Sequence, residues 1–249
     1  MTTEPAKVGT SFDKLGDREA VIVSAVRTPV GRASKGSLKD VRIDDLGALV
    51  VKAALERAGN LDPNLVEDVI FGCAMPEGEQ GLNVARNIGI LSGIPVSAGG
   101  VTVNRFCASG LQSINMAAQN VMLGFGEVFV AGGIESMSRV PMGGFNPSFN
   151  KKLVGGKSGF PEVYIPMGLT AENVVKKWGL KREELDEFSY HSHMRAIKGQ
   201  KEGMFKDEII PVTLPDGRVF ENDEGPRTDT TMEKLASLKP VFVADGSVT

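Results

Sequence analysis

An alternation of residue patterns constrains this chain most. Four short apolar runs, at 19–26, 68–74, 101–106 and 127–131, are separated by three stretches with helical spacing, at 43–58, 82–91 and 111–123. A nearly continuous run such as Glu19-Ala-Val-Ile-Val-Ser-Ala-Val26 suits a strand buried on both faces. In the first helical stretch, Leu46, Leu49, Val50, Ala53, Ala54 and Ala58 recur at the helical interval, after Asp44-Asp45 and before Gly59. Acidic residues suit the positive end of a helix, and a glycine suits its stop. Strands and helices taken in turn predict right-handed crossovers around a parallel sheet, an α/β fold. The 30 glycines among 249 residues fit tight strand-to-helix turns and close backbone packing.

The texture changes after residue 134. Residues 137–166 are rich in Gly, Pro, Ser, Asn and Met, with no clean period. Helices are predicted at 170–178, 182–202 and 230–238, with a hairpin at 209–220 turning at Pro215-Asp-Gly217. The expected organisation is a tail at 1–18, an α/β domain at 19–133 and an irregular, mainly helical domain at 134–249. Residues 1–17 lack the apolar core of a secretory signal, and no run reaches the ~18 residues needed to span a bilayer. With 28 basic against 31 acidic residues and a net charge of −3, the chain has no basic excess to suit a general nucleic-acid binder. Its two cysteines, Cys73 and Cys107, make neither a disulfide framework nor a conventional zinc site. A reducing, cytoplasmic setting is expected.

Cys107 holds the most suggestive position. It stands where the run 101–106 turns into the third helix, in Asn104-Arg-Phe-Cys-Ala-Ser-Gly-Leu111. A helix N-terminus presents unpaired N–H groups that favour an anionic sulfur and can hydrogen-bond an oxyanion formed at a carbonyl. Ala108, Ser109 and Gly110 are small enough to admit a substrate. Leu111, Ile114, Ala117, Ala118, Val121 and Met122 suggest a helix buried in the interior behind it. Position alone fits two readings, a nucleophile or a structural cysteine in a core. Cys73, inside an apolar run next to Gly72, reads as structural. His191 and His193 lie two residues apart on a charged helix, so they cannot share a face as a metal pair or joint base. No phosphate-loop or dinucleotide motif is present. Met137, Met142 and Met167 suit an irregular core or an apolar tunnel for an acyl chain.

Val103-Asn-Arg-Phe-Cys-Ala-Ser-Gly-Leu-Gln112 and Val130-Ala-Gly-Gly-Ile-Glu-Ser-Met-Ser138 resemble the thiolases, acetyl-CoA acetyltransferases and 3-ketoacyl-CoA thiolases. Further matches run from Arg27-Thr-Pro-Val-Gly31 through Gln80–Arg86 and Met167–Asn173 to Phe205–Ile209, so the resemblance covers 20–249. The Arg-Phe-Cys-Ala-Ser-Gly form leans towards the degradative 3-ketoacyl-CoA branch. The resemblance implies that Cys107 accepts the acyl group in covalent ping-pong catalysis, with coenzyme A as a substrate and no separate cofactor. Residues 134–249 would form the loop domain covering CoA. Arg227 matches the arginine near the adenine nucleotide of CoA, and Phe242 an aromatic lining the CoA site. A homo-oligomer is implied as well.

The family pattern continues beyond this sequence. By resemblance, the first sheet's last strand and a second, duplicate domain are absent. The missing part carries the asparagine of Asn-Glu-Ala-Phe, the histidine of Gly-His-Pro and the cysteine of Cys-x-Gly-Gly-Gly. Cys73, His191 and His193 match none of these motifs. The 249-residue chain is therefore expected to be inactive alone, and to require a partner supplying the C-terminal half. The alternative is a non-catalytic, truncated subunit that binds CoA or a partner chain. A related condensing enzyme keeping Cys107 but using another base is disfavoured by Glu135-Ser-Met-Ser138.

Overall fold

The computed structural model describes residues 18–159 and 162–249. The tail expected at 1–18 lies, apart from Arg18, outside the described residues. The chain divides into two compact units, one of residues 18–28, 33–145 and 210–220, the other of 29–32, 146–209 and 221–249.

In the first unit, α1 (Ile43–Arg57), β1 (Asp68–Gly72), α2 (Val84–Leu91), β2 (Gly99–Val103), α3 (Ser109–Met122) and β3 (Phe129–Gly133) follow one another. The three strands form a sheet in the order β2-β1-β3, and both pairs are parallel. Phe71 stands opposite Thr102 on one side and Gly132 on the other. Central β1 is buried from Val69 to Gly72, as its unbroken apolar run requires. This is the predicted α/β architecture.

Successive strand residues point to opposite faces. Val69 and Phe71 pack in one core with Val51 and Leu55 of α1 and Val84, Ala85 and Ile88 of α2. Gly72 faces the other way, against Ser109 at the start of α3. Helices α2 and α3 therefore cover opposite faces, as right-handed crossovers running in opposite directions across the sheet demand. Ile88 is fully buried in the first core. Ile88→Ala is expected to cost about 2–5 kcal/mol, read from denaturant unfolding followed by circular dichroism. A loss under about 0.5 kcal/mol would show that this core is not tightly packed.

Three sequence expectations change. The run 19–26 forms no strand, and Val21, Ile22 and Val23 are more than 70% exposed. A valine-rich run becomes a strand only when a neighbouring backbone takes its N–H and C=O groups. No strand among the described residues pairs with it, and β3 pairs with β1 alone. The segment is held at its ends, by Arg18 on Val121 O and Glu127 and by Ile210 N on Arg27 O. The second change concerns α3, which buries only Ser109, Ser113 and Ala117. Its Leu111 and Ile114 are exposed because no described element of this unit covers that face.

Third, the boundary expected at residue 133 falls elsewhere. Residues 134–145 belong with the sheet, as does the short hairpin of β4 (Val212–Thr213) and β5 (Val219–Phe220). Val212, Leu214 and Phe220 are apolar, and they bury themselves against Ile43 and Leu46 of α1.

The second unit is helical, with α4 (Met167–Trp178), α5 (Arg182–Lys201) and α6 (Met232–Ala236). Gly179, at φ +65°, ends α4 in a left-handed cap. Glu184 accepts from Lys181 N at the start of α5, and Arg182 pairs with Asp186 while bonding Leu235 O of α6. The loop 29–32 also belongs here, since Val30 N and Arg32 N donate to Asp223 and Glu224. Among the described residues no helix is long and apolar enough to cross a membrane.

Candidate active site

Parallel α/β sheets place their ligand sites at the carboxyl ends of the strands. Cys107 stands at that end, four residues after β2 and two before α3. It is exposed and free, whereas Cys73 is free and buried. The buried-core reading of Cys107 is thereby removed.

Helix α3 begins without a side-chain cap at Ala108, so no side chain competes for the N–H groups of its first turn. The preceding residue, Phe106, has φ +48°, a conformation that L residues adopt with strain. Buried Ser109 fixes the turn from inside. Its Oγ accepts from Arg105 N at 2.9 Å and donates to Phe106 O at 2.6 Å, while Ser109 N donates to the same carbonyl at 3.0 Å. Ser113 Oγ lies 2.7 Å from both Gly110 O and Gly132 O, tying α3 to β3. An exposed thiol ahead of an uncapped helix can attack a carbonyl, although Ala108 N and Ser109 N already donate to Arg105 O and Phe106 O.

Cys73 behaves as the sequence suggests. Burial pushes its thiol up to about 11, with the Glu135 carboxylate adding to the effect and a Met75 backbone bond opposing it. At pH 8, iodoacetamide is expected to label Cys107 at least about a hundredfold faster than Cys73, read by peptide mass spectrometry. Equal labelling would mean that β1 opens readily. The folded state also holds the Cys73 proton more tightly than the unfolded chain does, so stability falls as pH rises from about 9 towards 11.

Arg227 and Phe242 belong to the second unit. Arg227 is exposed, and its N–H donates to His193 Nδ1 at 3.1 Å. The Phe242 ring packs on Gly168 of α4, where an added Cβ would lie 2.2 Å from it, yet the residue stays 44% exposed. The two histidines do diverge. His191 Nε2 stands 3.8 Å from Glu187 and beside Tyr190, while His193 holds the Arg227 backbone. Sequence reasoning missed this role of His193, since its partner lies 34 positions away. Among the described residues no cluster of His, Cys, Asp and Glu could hold a metal ion.

Comparison with known proteins shows the family. The family profile "Thiolase, N-terminal domain" matches residues 20–249. The 3-ketoacyl-CoA thiolase of Bacillus subtilis (strain 168) is 51% identical over 244 residues, covering 93% of this chain and 61% of that protein. A 3-ketoacyl-CoA thiolase of Shewanella baltica (strain OS155) is 45% identical, with 93% and 60% covered. The crystal structure of Bacillus anthracis acetyl-CoA acetyltransferase superposes with a TM-score of 0.82 at 39% identity, over 93% of this chain and 61% of that one. The chain thus spans about three-fifths of the length of the relatives it matches. It belongs to the thiolase family, whose N-terminal domain it carries.

Proposed function

We propose that these residues form the nucleophile-bearing part of a thiolase that cleaves a 3-ketoacyl-CoA, or runs the reverse condensation, through an acyl-Cys107 intermediate. The observation that supports it is the exposed Cys107 thiol at the uncapped start of α3, in a chain of this family. In the forward direction the Cys107 thiol gives its proton to a base as Sγ bonds to the 3-keto carbon, and the bond between C2 and C3 breaks. The electron pair of that bond stays on C2, which takes a proton from an acid as acetyl-CoA leaves. The sulfur of a second CoA then bonds to the acyl carbon of the thioester, the bond from Sγ breaks, and the CoA proton passes to a base. Cys73, His191 and His193 match neither the acid nor the base of the family. CoA is a substrate here, with Arg227 and Phe242 as its contacts in the loop region.

A homo-oligomer in a reducing cytoplasm completes the reading, in keeping with two free cysteines. The test extends the chain after Thr249 with the matching C-terminal part of the Bacillus subtilis relative, so that the family's full length is present. This fusion is expected to cleave acetoacetyl-CoA in the presence of CoA, and acid quenching is expected to trap an acetyl group on Cys107. A fusion with no turnover, or an acetyl group found only on other residues, sinks the reading.

A further inference from the structure

Phe106 is held in a left-handed conformation with no glycine to ease it, and the groups that hold it extend beyond the turn. Asn104 Oδ1 accepts from Phe106 N at 2.7 Å. Its Nδ2 donates to Ala74 O at 2.9 Å, just past the end of β1. The same residue is gripped from its other side, where Ala74 N donates to Glu135 Oε2 at 2.6 Å. Glu135 Oε1 in turn accepts from Gln80 Nε2 at 2.8 Å. Gln80 is fully buried and fully engaged, donating also to Met75 O at 2.8 Å and accepting from Ser136 N.

These bonds join the carboxyl ends of all three parallel strands. Asn104 follows β2, Ala74 follows β1, and Glu135 follows β3. Ala74 lies at the middle, with its carbonyl taken by one loop and its N–H by the other. None of these side chains is needed to continue the sheet. Backbone bonds from Cys73 N to Val103 O and from Ile134 N to Gly72 O already carry the ladder to its edge.

We infer that Asn104 and Glu135, braced by Gln80, are positioning residues for Cys107, which act by holding Phe106 left-handed. This rests on Cys107 being the nucleophile. With Phe106 at φ +48°, Cys107 is delivered ahead of the first turn of α3. An L residue in this region is disfavoured by about tenfold. Without Asn104 the turn relaxes towards negative φ and moves Cys107 from the exposed position it holds ahead of the first turn of α3. Glycine at 106 would take the left-handed conformation without penalty, so the relay would matter less there.

The experiment measures iodoacetamide alkylation of Cys107 in the 249-residue chain, resolved from Cys73 by peptide mass spectrometry, with thermal unfolding run in parallel. Asn104→Ala is expected to slow alkylation about tenfold, and Glu135→Gln about threefold, since an amide keeps one of the two acceptor oxygens. Combined with Phe106→Gly, Asn104→Ala is expected to slow it less than about threefold. Rates within about twofold of the parent for both single variants would overturn the inference. So would an Asn104→Ala effect that is equal with and without Phe106→Gly, or one that merely follows a loss of thermal stability. The nucleophile reading is judged separately, in the full-length fusion. If acid quenching there traps no acetyl group on Cys107, that reading fails, whatever the variant ratios show.

Discussion

Replacing Cys107 with alanine in the full-length fusion is expected to lower kcat for acetoacetyl-CoA thiolysis at least about a thousandfold, a barrier increase of about 4 kcal/mol. The size follows from what the sulfur would do under the proposed mechanism. It would take the acyl group in a first transfer and pass it to CoA in a second, and two described neighbours, Cys73 and Ser109, are poorly placed to replace it. Cys73 is 1% exposed, with a thiol pushed up to about 11. Ser109 Oγ already accepts from Arg105 N and donates to Phe106 O, so its proton and one lone pair are engaged. Cys107 is exposed, and its truncation leaves no core cavity, so thermal stability is expected to stay within about 0.5 kcal/mol of the parent. A loss of turnover without a loss of stability separates a chemical role from a structural one. Retention of more than about a tenth of the parental kcat would remove Cys107 from the mechanism.

The sequence carried the local rules of this fold and little of its context. Strand β1 was legible because it is central: a strand covered on both faces must be apolar throughout, and Val69-Ile-Phe71 is. Helices α1 and α2 were legible as helices, but the buried face of α1 was not: of the residues the spacing named only Leu46 and Ala53 are buried, and α1 meets two cores, through Val51 and Leu55 and through Ile43 and Leu46. The place of Cys107 in the fold was legible for a local reason as well, since a strand pattern gives way there to small residues and a helix. Residues 19–26 obey the same composition rule and still form no strand, because pairing is set by a neighbour rather than by the run itself. The apolar circumference of α3 likewise records what the helix could bury, while only its Ser109, Ser113 and Ala117 edge is covered.

In each unit, the groups that escaped sequence reasoning are the long-range ones. Glu135 reaches Ala74 across 61 positions and Gln80 across 55, and His193 reaches Arg227 across 34. Glu135 and Gln80 were noticed only as parts of family motifs, without a role. A hydrogen bond between distant loops leaves no periodicity behind. Phe106 also gave no sign of its left-handed φ, since such turns are ordinarily marked by glycine or asparagine.

Gly72→Ala tests how the sheet seats the Cys107 turn, and its expected effect is opposite in sign to the usual one. Exchanging a strand-interior glycine for alanine ordinarily stabilises by about 0.5–1 kcal/mol, because the unfolded chain loses freedom. Here the new Cβ would lie 2.3 Å from the Ser109 carbonyl carbon and 2.5 Å from Gly110 N. Carbon atoms pack best at about 3.5–4.0 Å, so the start of α3 would have to retreat by about an ångström. The obstacle is backbone, which cannot rotate aside as a side-chain tip could. Retreat would strain the Ser113 contact to Gly132 O and pull Ser109 from the Phe106 carbonyl. A destabilisation of about 3 kcal/mol is expected in denaturant unfolding, with slower alkylation of Cys107 in the molecules that remain folded. A neutral or stabilising Gly72→Ala would mean that α3 does not sit on β1 at this point. The Cys107 turn would then be held by its side-chain bonds alone, without the helix seated on the central strand beneath it.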